Sequence, residues 1–127
     1  MNTKIVMIAS AIFMAILGVA ATFGPQEIAS KIGGIPILIQ LLGALYLGFA
    51  MQNWMAKDNL IGGIYNRPLA TGNLVHFLVG ALALVKVALR MPFDRVIVTL
   101  AIAYTLLAIA FTLVLFRSPV ERQRPAG

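Results

Sequence analysis

The sequence predicts an all-α membrane protein, a four-transmembrane-helix antiparallel bundle with a short interfacial helix between helices 1 and 2. Hydrophobic residues make up 61% of the chain and charged residues only 11%, whereas about a quarter of the residues in a soluble protein are charged. Four apolar runs each approach the ~20 residues that a helix needs to cross a bilayer. They cover residues 5–23 (span 1), 35–56 (span 2), 69–89 (span 3) and 96–116 (span 4). We expect a single integral membrane domain over residues 1–127, with a solvated tail at 117–127.

Span 1 also has features of a secretory signal. It follows a basic residue, Lys4, and the small residues Gly18, Val19 and Ala20 resemble a cleavage point. Its apolar stretch of about 19 residues is longer than the roughly 7–15 of a signal. We therefore expect it to be retained as a transmembrane helix.

The segment after span 1 has the pattern of a short amphipathic helix. Pro25 suits a first helical position, and Gly33 suits the residue after the last turn. Glu27 lies early and Lys31 late, which complements the helix dipole. We expect this helix to lie at the membrane interface as a cap on the bundle.

The starts of the later spans are marked by proline and aspartate. Pro36 and Pro68 suit the first turns of spans 2 and 3. Pro92 interrupts the chain between spans 3 and 4, and Asp94 can accept hydrogen bonds from the first amides of span 4. This short connection predicts that spans 3 and 4 are antiparallel neighbours.

The distribution of basic residues predicts the orientation. Four spans place the N-terminus, the connection between spans 2 and 3, and the tail on one side. That side carries Lys4, Lys57, Arg67, Arg117, Arg122 and Arg124, against Lys31, Lys86, Arg90 and Arg95 on the other. The excess favours cytoplasmic N- and C-termini. Trp54 and Tyr65 would then mark the cytoplasmic interface.

Composition excludes several functions. The chain has no cysteine, so thiolate chemistry and disulfides are absent. The basic residues lie at the ends of the spans, which indicates contact with anionic lipid headgroups and not with nucleic acid. The carboxylates lie outside the spans, which argues against proton-coupled export of cations. The chain has one histidine, so we expect no metal site and no cofactor.

Polar and aromatic residues collect near the cytoplasmic ends of spans 2 and 3. These candidate ligand-binding residues are Tyr46, Asn53, Trp54, Tyr65, Arg67, Asn73 and His76. They could line a vestibule in which Arg67 meets an anionic headgroup and the aromatic rings meet an apolar body. Alternatively, they satisfy helix ends and loop backbone, as interfacial residues commonly do. For His76 we expect a hydrogen bond to Asn53 or to a carbonyl of a neighbouring helix, with a titrating ligand contact as the alternative.

Small residues four positions apart predict close helix packing. Ala11 with Ala15 on span 1, and Ala44 with Gly48 on span 2, have this spacing. Span 4 carries several alanines. Such pairs favour packing within the chain, or a face for a second copy or another membrane subunit.

The layout resembles a known family. Gly24-Pro25 begins the short helix, Ile32-Gly33-Gly34 ends it, and Gln40-Leu41-Leu42-Gly43-Ala44-Leu45-Tyr46-Leu47-Gly48 follows on span 2. In this order the chain looks like the small bacterial DoxX-like four-helix membrane proteins. The resemblance implies a multi-pass protein of the bacterial inner (cytoplasmic) membrane, in a group mostly of unassigned function with some members linked to quinol-related redox complexes. It implies no catalytic residues.

Three functions follow from these features. The first is a non-catalytic subunit or partner within a larger membrane assembly, indicated by small size and scarce buried ionisable groups. The second is a binder or carrier of a lipid, quinone or other amphipathic molecule between the cytoplasmic ends of spans 2 and 3. The third is an enzyme with His76 as general base and Tyr65 or Arg67 stabilising charge. It is disfavoured because catalysis needs a second positioned titratable group, and no carboxylate is predicted at the depth of His76.

Overall fold

Five helices form the described part of the protein. A computed structural model describes residues 3–58, 66–91 and 93–117. The helices are α1 (Thr3–Phe23), α2 (Pro25–Ile32), α3 (Pro36–Ala56), α4 (Arg67–Arg90) and α5 (Arg95–Arg117). Tyr65, Pro92 and tail residues 118–127 lie outside the described residues.

Four of these helices are long and apolar enough to cross a membrane. They are α1, α3, α4 and α5, and their ends agree with predicted spans 1 to 4 within two residues. The four predicted spans are thus confirmed as helices. Their length and composition indicate a multi-pass membrane protein.

The predicted helix starts are confirmed. Proline occupies the first turn of α2, α3 and α4, where its missing N–H costs no hydrogen bond. Before α5, the Asp94 carboxylate accepts hydrogen bonds from the backbone N–H of Val96 at 3.0 Å and of Ile97 at 3.1 Å. This N-cap satisfies two amides that the helix itself cannot.

The chain divides into two compact units. The N-terminal unit, Asn2–Asp58, contains α1, α2 and α3. Its two long helices are antiparallel, because their contacts run in opposite order: Ser10 meets Asn53, and Gly18 lies against Leu47.

Glycine permits the close approach of α1 and α3. A Cβ at Gly43 would lie 2.8 Å from the backbone nitrogen of Thr22, and one at Gly18 would lie 2.8 Å from Cγ of Leu47. The Thr22 hydroxyl is buried here without a hydrogen-bond partner among the described residues. Ala44 and Gly48, whose spacing predicted close packing, are exposed.

Helix α2 ends at a glycine whose conformation other residues rarely adopt. Gly33 has φ 77° and Gly34 has φ 118°, and the Gly33 N–H donates to the Ala29 carbonyl at 2.8 Å. These values favour glycine because a Cβ would be strained there. The two glycines redirect the chain into α3.

The C-terminal unit contains α4 and α5. The two helices meet along a seam, here defined as their buried residues Ala70, Asn73, Phe77 and Ala81 of α4 and Ala101, Tyr104, Ala108, Phe111 and Val114 of α5. The near-heptad spacing of these positions is that of helices packed side by side at a shallow angle. At the centre of the seam the rings of Phe77 and Phe111 stack, with centroids 5.7 Å apart.

Candidate functional site

Asn53 lies inside the α1–α3 interface. Its exposed fraction is 0%, and its Nδ2 donates a hydrogen bond to Oγ of Ser10 at 3.0 Å. Ser10, also fully buried, donates in turn to the carbonyl of Met7 at 2.9 Å. The amide therefore links two helices, which is the usual role of a buried polar group in a membrane.

Trp54 belongs to a charged cluster at the C-terminal end of α3. The Lys57 ammonium lies 4.4 Å from the Trp54 ring centroid and 3.5 Å from the carboxylate of Asp58. Asp58 also pairs with Lys4 at 2.7 Å, which ties the first turn of α1 to the end of α3. The hydrogen bond from Lys4 lowers the pKa of Asp58 below its ordinary value, and the charges of Lys4 and Lys57 act in the same direction.

Tyr46 and Arg67 occupy different surroundings. Tyr46 is half-buried on α3, about two turns before Asn53. Arg67 is the first residue of α4, and its side chain is exposed. Neither shares the fully buried environment of Asn53.

His76 makes a hydrogen bond with a residue that the sequence pattern did not single out. Its Nε2 lies 3.2 Å from the hydroxyl of Tyr104 on α5. One turn earlier, the buried Asn73 donates from Nδ2 to the carbonyl of Leu69 at 2.9 Å. His76 itself is half-buried at the margin of the seam.

The ring of Tyr104 fits into a slot over Gly80. A Cβ at Gly80 would lie 2.5 Å from Cε1 of Tyr104. Phe77 packs edge-on against Tyr104, with centroids 5.3 Å apart, and against the ring of His76, at 5.0 Å. The phenol is therefore enclosed on α4 by three residues that fix its position.

The opposite margin of the α4–α5 seam carries an apolar groove of about 320 Å³. Its two threonine hydroxyls bond to the backbone of their own helix: Thr105 donates to the Ala101 carbonyl and Thr112 to the Ala108 carbonyl, each at 2.7 Å. The groove is lined by Leu78, Ala81, Leu82, Val85, Thr105, Ala108, Ile109, Thr112 and Leu113. It contains none of the predicted site residues.

The predicted site residues are divided between the two units. Tyr46, Asn53 and Trp54 belong to the N-terminal unit, and Arg67, Asn73 and His76 to the C-terminal unit. Tyr65 lies outside the described residues, so the vestibule stays a prediction. Sequence reasoning missed Ser10 and Tyr104 as partners. The available signal was that each is a polar group well inside an apolar run.

The residues that could hold a metal ion do not cluster in the described ranges 3–58, 66–91 and 93–117. There, no three side chains of His, Cys, Asp or Glu come together as ligands would. The chemistry that the described geometry offers is hydrogen bonding between helices, together with one exposed ion cluster at the end of α3.

Comparison with known proteins gives no match. No family model, no curated protein and no solved structure is similar to the chain at a significant level. The DoxX-like resemblance stays a prediction from the sequence.

Proposed function

We propose that this chain is a small non-catalytic membrane protein that acts as a subunit or partner within a larger membrane assembly. The observation that carries the proposal is how the spans use their polar groups. Asn53 bonds Ser10 across α1 and α3, and His76 bonds Tyr104 across α4 and α5. Catalysis would require such groups to converge on one reacting atom, whereas here they join helices in pairs.

An exposed face of α3 supports a lateral partner. Ala44, Gly48 and Gln52 follow one another at intervals of four residues and are all exposed, so they share one side of the helix. A Cβ at Gly48 would meet no atom within 4 Å. Small residues allow another helix to approach closely, and an amide can bond across that contact.

The proposed topology places all four spans in one antiparallel bundle that forms a single membrane domain. Helix α2 lies at one interface, and both chain termini lie on the opposite, cytoplasmic side of a bacterial inner membrane. The basic residues counted above support this orientation. The partners are membrane lipids and either another membrane subunit or a second copy, and no cofactor is required.

Native mass spectrometry after extraction in mild detergent tests the assembly. We expect the wild-type chain to be detected in complex with a stoichiometric partner or as an oligomer. Gly48→Leu should reduce that species because the larger side chain blocks close approach. Ala9→Leu, the same kind of enlargement at an exposed position of α1, is the matched control and should leave it unchanged. Wild type recovered only as a lone monomer would refute the proposal.

A further inference from the structure

The His76–Tyr104 pair lies deep in the predicted membrane interior. Each is the tenth residue of its helix, about 14 Å from the helix start at 1.5 Å per residue. The helices have 24 and 23 residues and are therefore roughly 35 Å long. Ionisable side chains at this depth are costly and commonly mark a site where something polar binds.

The two margins of the α4–α5 seam differ in chemistry. His76 and Leu78 flank the fully buried Phe77, one residue to each side, and a turn of ~100° per residue places them on opposite margins. The Leu78 margin forms the apolar groove, and its threonine hydroxyls are bonded to carbonyls of their own helix. The His76 margin instead brings an imidazole and a phenol together and leaves the imidazole half-buried.

The pair is also held rigidly. Gly80 admits the Tyr104 ring, and Phe77 packs edge-on against both rings. The hydroxyl of Tyr104 therefore keeps its place beside Nε2 of His76. A preorganised donor and acceptor binds a ligand at a smaller cost in conformational entropy than mobile side chains would.

Depth and geometry select the ligand chemistry. A charged headgroup would be expensive near the bilayer centre, so the ligand must be neutral. Nε2 of His76 and the hydroxyl of Tyr104 already share a hydrogen bond of 3.2 Å. A hydroxyl both donates and accepts, so it can bond to this pair whichever nitrogen of His76 carries the proton, and the two rings stay in place.

We propose that this margin, defined by His76, Gly80 and Tyr104, binds the hydroxyl group of a neutral long-chain lipid whose apolar chain lies along α4 and α5. The inference is independent of the proposed assembly function, because the site is formed by one hairpin of one chain.

Nuclear magnetic resonance of the single histidine tests the site. The chain contains one His, so ¹⁵N-histidine labelling reports on His76 alone in nanodiscs of a defined phosphatidylcholine. Adding 1-hexadecanol at constant pH should shift the imidazole resonances and saturate, whereas hexadecane should not. A response that is linear, absent, or equal for both additives overturns the proposal.

Two variants and a control separate binding from general membrane effects. Tyr104→Phe keeps the ring but removes the hydroxyl, so the apparent affinity should fall at least about fivefold. Thr112→Val, on the apolar margin, should titrate as wild type. Retention of hexadecanol in native mass spectrometry provides a second readout, and His76→Gln should reduce it. An unchanged affinity in Tyr104→Phe, together with unchanged retention of hexadecanol in His76→Gln, would overturn the assignment.

Discussion

Individual polar residues determine how each helix pair is held. In water the hydrophobic effect would drive the helices together, but lipid tails are as apolar as leucine, so this force is absent between spans. Packing and interhelical hydrogen bonds remain. Ser10 with Asn53 in the N-terminal unit, and His76 with Tyr104 in the C-terminal unit, are such bonds.

A double-mutant cycle should detect the bond between Ser10 and Asn53. We expect Ser10→Ala and Asn53→Leu each to lower the free energy of unfolding, with a coupling of about 0.5–1.5 kcal/mol between them. Equilibrium unfolding of the full chain in mixed detergent micelles measures this energy. Gln52→Leu, at the exposed neighbour, should change stability by less than about 0.5 kcal/mol. Strict additivity of the two substitutions would show that the bond contributes nothing.

Gly80 should be intolerant of even one added methyl group. In Gly80→Ala the new Cβ would meet the Tyr104 ring at 2.5 Å, and overpacking of this kind costs about 1–3 kcal/mol. Gly72→Ala on the same helix meets no atom within 4 Å and should be neutral or gain up to about 1 kcal/mol from helix propensity. Unfolding midpoints of the two variants provide the comparison, and equal midpoints would contradict the slot described over Gly80.

The sequence could not predict which polar residues form hydrogen bonds with one another. His76 and Tyr104 are 28 positions apart, and their meeting depends on how α4 and α5 are aligned along their lengths. The periodicity of each segment gives no information on that alignment. It shows only that each polar residue interrupts an apolar run, which indicates that the residue has a partner but does not identify it.

Whole helices were predictable because bilayer thickness fixes their length. Proline and Asp94 marked where the helices begin, since both act through the backbone of the same segment. The packed face was harder to identify. Gly43 lies in the α1–α3 interface and Ala44 is exposed, although both belong to the same run of small residues. Consecutive residues are about 100° apart around the helix axis, so an error of one residue assigns the packed face to the wrong side of the helix.

The ion cluster at the ends of α1 and α3 should respond to acid. Because the pKa of Asp58 is lowered, its carboxylate stays charged down to a lower pH than usual. The contact with Lys4 is therefore fully present above the ordinary value near 3.8 and is lost as pH falls through the lowered pKa.

Trp54 reports on this transition because it is the only tryptophan and Lys57 lies over its ring. We expect its fluorescence to titrate with a midpoint below 3.8. The midpoint should rise in Lys4→Gln, and the transition should vanish in Asp58→Asn. Persistence of the same transition in Asp58→Asn would assign it to another group.

The topology of the whole molecule can be tested with single cysteines, since the natural chain has none. Ser30→Cys on α2 and Phe93→Cys between α4 and α5 should react with a membrane-impermeant maleimide added to spheroplasts. Asp58→Cys should react only after the membrane is opened. The expected pattern follows from four crossings with cytoplasmic termini. Labelling of all three positions in intact spheroplasts would contradict it.

The pairing of His76 with Tyr104 also bears on biogenesis. The ribosome delivers α4 before α5, so the imidazole enters the translocon ahead of the phenol that receives it. A lone polar ring makes insertion of its segment less favourable, and its partner follows after a connection of only a few residues. If α4 and α5 leave the translocon together as a preformed hairpin, His76 is not exposed to the lipid before Tyr104 is in place.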